Sequence, residues 1–318
     1  MRNGRLTIDG ASAADKGGVT LHGHGMYLLG LTCRDVIVRH LRVRRSRRGD
    51  GIGIGEGAHR VLIDHCSVSW ADDENFGINC GHYVTVQWCI ISEGLIEGEH
   101  PKGAHSKGML VAHGANHVSL HHNFWSGNVD RNALLYDVGG GGKGGEMPGT
   151  YPGEKMAIYM PTAVFDFRNN LVYNFLYGTK VAQGAHVNVV NNYYRHGPTV
   201  TDDFEVHIGT LLFYPGSERP KVYCSGNIGP HRPNGQGDDW SLVRVGKTPG
   251  SDPEFRRDKE VLVPPVTTHP AAEVPERVLR SAGAHPRDDV DLRLVEEFRK
   301  GMGKAGYGYV EWKQKHGL

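Results

Sequence analysis

No stretch of about 18 apolar residues occurs in the chain, so no transmembrane helix is indicated. The opening residues, MRNGRLTIDG, lack the apolar run of a secretion signal. With strand-like Leu6 and Ile8 almost at once, they read as the middle of a structured domain whose upstream part is missing or was removed. Charge of one sign is also lacking. Lys+Arg 36 against Asp+Glu 35 leaves a formal net charge of +1, which supplies no global field for nucleic acid or an anionic membrane. A basic run from Arg39 to Arg48 still leaves a local interaction surface open. The five cysteines (Cys33, Cys66, Cys80, Cys89, Cys224) show no CxxC or zinc-ribbon spacing. An odd count in strand-like segments reads as buried thiols, with a single disulfide as the lesser alternative. Nineteen histidines invite zinc, but no HExxH occurs and the histidine pairs fall on strands, so structural zinc is not expected. Long amphipathic helices are absent from the first 230 or so residues, which argues against βαβ units.

Glycine, by contrast, is abundant: 45 of 318 residues, about 14%, roughly twice the usual share. That excess requires an architecture with many turns, and short β-branched segments recur between them. VIVRHL starts at Val36, VLIDHC at Val61, VTVQWC at Val84 and VSLHHN at Val118. FDFRNN at Phe165, VNVVNN at Val187 and VYCSGN at Val222 continue the series, with starts 25, 23, 34, 47, 22 and 35 residues apart. Three gaps lie near one rung length, and the others correspond to a rung plus an insertion or to two rungs. The first and third residues of every segment are apolar, the period-two signature of one buried face. The sixth runs Leu41, Cys66, Cys89, Asn123, Asn170, Asn192, Asn227. Asparagines at one register fit a coil in which equivalent residues of successive turns stack at a tight bend and share side-chain hydrogen bonds. GIGI at 51–54 and NFGI at 75–78 supply further strands. An antiparallel sandwich is the alternative, but it needs no fixed rung length. The pattern predicts an all-β, right-handed parallel β-helix over residues 1–235. Residues 236–318 are expected as an irregular tail packed on it, with a short helix capped by Asp288 or Asp289, apolar at Val290, Leu294 and Phe298, and stopped at Gly301.

Three groups of residues carry possible chemistry. Asp50 precedes Ile52 and Ile54 as Glu74 precedes Phe76 and Ile78, a shift of 24 residues, or about one rung. Stacked turns lie ~4.8 Å apart, so Asp50, Asp72, Asp73 and Glu74 should gather on one side of the coil. Carboxylates that close repel unless a cation sits among them, and hard oxygen donors on turns suit Ca²⁺ better than Zn²⁺. Composition alone would read them as solvated turn residues. The second group is HSKG with His105 and Lys107. The third is VSLHHNFWSGNVDRNAL with His121, His122, Asn123, Asp130 and Arg131. Taken singly, HxK and HHN are weak signals, and a lone lysine or arginine is usually a surface charge.

In this order the groups resemble the pectate lyase family, the first polysaccharide lyase family. The matching text is GDGIGIGEGAHRVLIDHCSVSWADDENFGI, YVTVQWCIISEGL, HSKGMLV and HHNFWSGNVDRNALL, followed by FRNNLVYN and VVNNYY. DHCSVSW, the DE pair and VTVQW point to a bacterial branch, whose C-terminal end SAGAHPRDDVDLRLVEEFRKGMG also resembles. The resemblance implies a secreted, Ca²⁺-dependent enzyme. Such an enzyme cleaves polygalacturonate by β-elimination and leaves a 4,5-unsaturated uronate. Carried over by position, Asp50 and Asp73 match calcium ligands, Lys107 the lysine that holds a substrate carboxylate, and Arg131 the catalytic arginine. Two positions depart from the family. Gly77 stands where a second motif aspartate would be, with Glu74 as the expected substitute ligand. Tyr136 and Ala133 replace the second arginine and the proline of RxPxxR. The glycine-rich stretch 136–155 reads either as an inert insertion or as a substrate lid. A lyase or epimerase acting on another uronate, or a noncatalytic glycan-binding β-helix, are the rival readings. No nucleic-acid or membrane partner is expected, and the chain is expected to be a monomer.

Overall fold

The computed structural model describes residues 1–137, 163–199, 204–209, 218–246 and 253–316, with short strand pieces at 147–148, 155–156 and 248–249. Within it the chain winds as a right-handed parallel β-helix whose coils each contribute to three sheets. Sheet A has eight parallel strands, from Leu6–Asp9 through Arg34–Arg39, His59–Asp64, His82–Gln87, Asn116–His121, Ala163–Arg168 and Ala185–Val190 to Lys221–Ser225. Sheet B runs from Val19–Gly23 to Tyr193–Arg195. Sheet C runs from Met26–Leu29 through Ile52–Gly55, Glu74–Asn79 and Lys107–Ala112 to Val243–Val245, where Thr248–Pro249 closes it antiparallel. The recurring segments are the strands of sheet A, and GIGI and NFGI belong to sheet C. The sheet B strands are mostly three residues long, too short to show a period.

The stacking follows the alternation. Val36, Val61, Val84, Val118, Phe165, Val187 and Val222 occupy one register and are all buried. Full burial of such a side chain is worth about 1.5–3 kcal/mol. The predicted one-rung shift is also present, with Ile52 opposite Phe76 and Ile54 opposite Ile78.

Between sheets A and B the chain turns sharply at His40, His65, Trp88, His122, Asn169, Asn191 and Gly226, all with positive φ. The next residues form the asparagine ladder. The amides of Asn123, Asn170, Asn192 and Asn227 are wholly buried. Asn170 Oδ1 accepts from the backbone N–H of Asn123 at 3.0 Å, Asn192 Oδ1 from Asn170 at 2.9 Å, and Asn227 Oδ1 from Asn192 at 2.9 Å. Each amide nitrogen also donates across the bend, as Asn170 does to Leu120 O at 2.8 Å. Cys66 and Cys89 occupy the same row. All five cysteines are free thiols, so the disulfide alternative is not realised.

Among the described residues the C-terminal tail carries three α-helices, α1 (Val274–Ser281), α2 (Asp289–Lys300) and α3 (Gly308–His316), where one short helix was expected. Helices α1 and α2 lay Val274, Val278, Leu294 and Phe298 against Trp70, Phe124, Leu171 and Tyr173 on the outer face of sheet B. The Asp288 side chain caps α2, and Gly301 ends it with φ 68°. The middle of the basic run 39–48 is internal, which corrects its reading as one interaction surface, while Arg39, Arg47 and Arg48 stay exposed. Arg42, Arg44 and Arg45 are buried. Arg44 Nη2 binds Asp288 Oδ1 at 2.9 Å and Asp291 Oδ1 at 2.8 Å, so these arginines dock the tail.

Candidate active site

The corner between sheets B and C gathers the predicted residues. Asp50 lies in the turn before Ile52–Gly55, Asp73 and Glu74 lie one rung on, Lys107 a rung further, and Asp130 and Arg131 after that. Carboxylate oxygens of Asp50, Asp73 and Glu74 all fall within 4.8 Å of one another, a grouping able to hold a cation. Asp50 is driven toward its neutral form. Burial first, and then the charge of Asp73, push its carboxyl up to about 7 against the pull of Arg131. A positive charge that joins the group therefore favours the ionised form of Asp50.

Gly77, the position where a motif aspartate is missing, has a structural reason to be glycine. A Cβ built on it would come 2.1 Å from Asp50 Oδ2, so the Asp50 carboxylate fills the space above this strand. The neighbouring candidates serve elsewhere. Asp72 is wholly buried and bound to Arg45 Nη1 at 2.6 Å and to the backbone N–H of Arg48 at 2.8 Å. Asn75 is buried too, and donates to Asn128 Oδ1 at 3.0 Å and to Ser92 O at 2.8 Å.

Arg131 is half-buried, and its Nη1 pairs with Glu74 Oε1. Burial lowers its pKa, while the charges of Asp73, Tyr136 and Asp50 oppose that shift. Its backbone is held on both sides. The Arg131 N–H donates to Asp130 Oδ1 at 2.7 Å, and next to it the buried Asn132 amide exchanges hydrogen bonds with Asn128. Lys107 Nζ lies 3.3 Å from Asp130 Oδ2, and Lys180 Nζ lies 2.8 Å from Asp130 Oδ1.

The sequence places Asp130 in the third group without giving it a role, and it does not point to Lys180. Lys180 lies one rung past Arg131 in sheet C but 49 positions on in the chain, because an insertion separates them. His121 and His122 do not join the site. Both are buried at the corner between sheets A and B, where burial pushes their pKa values down to about 4 and about 3. Tyr136 OH lies 3.2 Å from His113 Nε2. The glycine-rich stretch 136–155 lies from residue 138 onward, apart from its two strand pieces, outside the described residues, and so does its reading as a lid.

Known proteins resemble both the coil and its sequence. Probable pectate lyase C of Aspergillus fumigatus is 28% identical over 305 residues, covering 92% of this chain and 61% of that protein. The protein of the same name from Aspergillus flavus is 31% identical over 233 residues, covering 70% of this chain and 45% of that protein. In sequence the chain is similar to these curated pectate lyases. It spans about 61% of the length of the first of these curated relatives. They are fungal, so the expected bacterial branch finds no support among them. No protein-family model matches. Among solved structures, a pectate lyase described with an anti β-elimination mechanism superposes with TM-score 0.53 at 13% identity, covering 89% of this chain and 70% of that one. A pectate lyase of Bacillus sp. N165 in complex with trigalacturonate gives TM-score 0.50 at 15% identity, covering 88% and 76%. At these identities the pectate lyase structures support the fold alone. Among the described residues no helix is long and apolar enough to cross a membrane.

Proposed function

We propose that the chain is a pectate lyase that cleaves polygalacturonate by Ca²⁺-assisted β-elimination, acting outside the cell as a monomer. The observation that carries this reading is the juxtaposition on successive rungs of Asp50, Asp73 and Glu74 with Lys107 and Arg131. The three carboxylates fit a hard divalent cation, since they converge and since Asp50 resists ionisation without one. When bound, Ca²⁺ would supply charge neutralisation for a uronate carboxylate, the group into which negative charge spreads when the C5 proton leaves.

The protein's own residues do the rest. Lys107, held by Asp130 and one rung from Glu74, is placed to take a second contact with that carboxylate. Arg131 is proposed as the proton acceptor. An arginine is normally permanently charged, but this one is half-buried, and the acidic groups that keep it protonated are those the cation would neutralise. Arg131 takes the C5 proton, the freed pair forms the C4=C5 double bond, and the C4–O bond breaks as its oxygen departs and takes a proton from solvent. Past residue 235, Val243–Val245 and Thr248–Pro249 still belong to sheet C, and the chain from 253 to 316 is proposed as a tail that braces sheets A and B and takes no part in the chemistry. A panel of pectate, methylated pectin and alginate, read by the ultraviolet absorbance of the unsaturated product, tests the reading. Product from pectate is expected; product from alginate alone would move the substrate to another uronate, and none from any polymer would favour a glycan-binding role.

A further inference from the structure

Beside the acidic group lies a second cluster with different donor chemistry. The segment between sheets B and C brings His100 and His105 over Asp73, their rings 3.8 Å apart. His100 Nε2 lies 3.4 Å from Asp73 Oδ2, and His105 Nε2 lies 3.5 Å from Asp73 Oδ1. Both histidine side chains are about one-tenth exposed, and Asp73 about one-third. A charge-assisted hydrogen bond between such groups would be ~2.7–2.9 Å long, so these contacts are too long for one. One ligand atom from each of Asp73, His100 and His105 falls within 4.8 Å of the others, a grouping able to hold a cation.

The outer side of each ring is engaged as well. His105 Nδ1 faces two backbone carbonyls, Gly103 O at 3.2 Å and Ala104 O at 3.1 Å, and a carbonyl behind the ring is a usual outer partner of a metal-bound histidine. His100 Nδ1 accepts the Lys102 N–H at 3.2 Å.

We propose that Asp73, His100 and His105 form a binding site for a borderline divalent cation of the zinc class, distinct in ligand chemistry from the all-oxygen group that shares Asp73. Imidazole nitrogens select such ions over Ca²⁺, and the partial exposure leaves a coordination position for solvent. The site stands whether or not the chain cleaves pectate. The test is a Co²⁺ titration of the whole chain with excess Ca²⁺ present, read by visible absorbance. The expected result is one equivalent of Co²⁺ giving the intense bands of a four- or five-coordinate site, bands that Zn²⁺ abolishes. His105→Ala and His105→Gln should each lose them, while Asp50→Asn, which leaves Asp73 and both histidines in place, should keep them. Weak six-coordinate bands in the parent, bands that survive in both His105 variants, or bands lost in Asp50→Asn would overturn the proposal. Unchanged melting of the metal-free variants guards against loss of fold.

Discussion

Two corners of the same coil use stacking in opposite ways. Between sheets A and B each rung adds a neutral amide, and Asn123, Asn170, Asn192 and Asn227 satisfy one another as donor and acceptor. Outside that ladder the rings of His40, His65, Trp88 and His122 stack at 5.2, 6.1 and 4.3 Å, and burial keeps His122 uncharged at neutral pH. Between sheets B and C each rung adds a formal charge, with Asp50, Glu74, Lys107 and Arg131 in succession. Amides repeated every ~4.8 Å complete each other, because each carries both donor and acceptor. Carboxylates repeated at that spacing cannot, and they store repulsion that a cation or a cationic side chain relieves. One corner is built to be closed, and the other to need something.

The comparison breaks most visibly if the charged corner works without a cation. Exhaustive chelation should abolish turnover on polygalacturonate and added Ca²⁺ should restore it; full activity in the chelated protein would remove the cation from the mechanism. Next in size is Arg131→Lys. The protein should fold and still bind oligogalacturonate, because Lys107 and one positive charge remain, yet turnover should fall at least ~10²-fold. Lysine is a point charge without the planar fork and cannot occupy the same place beside C5. If Arg131→Lys keeps most of the parent rate while Lys107→Ala abolishes it, Arg131 is not the base.

At the neutral corner the expected losses are in stability alone. Asn170→Ala and Asn192→Ala each leave buried ladder groups without partners, at a cost of ~1–3 kcal/mol, with turnover per folded molecule unchanged. Denaturant melts indistinguishable from the parent's would remove the ladder from the account of stability. The smallest effect is one of pH. His121 and His122 titrate near 4 and 3 when folded but near 6.5 when exposed, so the unfolded chain takes up protons that the folded chain refuses. Stability should therefore be fully present above about pH 6.5 and fall as pH drops toward 4, by about 1.4 kcal/mol per pH unit for each such histidine. His122→Phe keeps a ring against Trp88 and His269 and removes the hydrogen bond with His121, since the buried His122 Nε2 has no hydrogen-bond partner among the described residues. Melts of this variant should show a shallower slope with pH; an unchanged slope would mean that His122 is not among the groups responsible.

The sequence by itself determined the coil, because its evidence is local and repeated. Period-two apolar positions recur at rung spacing and the asparagines share one register, so the sheet A strands, the ladder and the 24-residue offset of Asp50 from Glu74 were all legible. The caps of α2 were legible for the same reason, being set by neighbours within a few residues. Only tertiary structure decided where charges went when their partners are distant in the chain. Arg44 looks like part of a surface run until Asp288 and Asp291, more than 240 positions away, meet it against sheet B. Gly77 looks like a lost ligand until the Asp50 carboxylate is seen in the space its side chain would need. Lys180 reaches Asp130 across an insertion whose length hides the rung, and His100 and His105 converge on Asp73 only through the path of an irregular segment. Periodicity records which face of a strand is buried. It carries no information about which charge a loop or a tail brings to the other face, and that is set by packing.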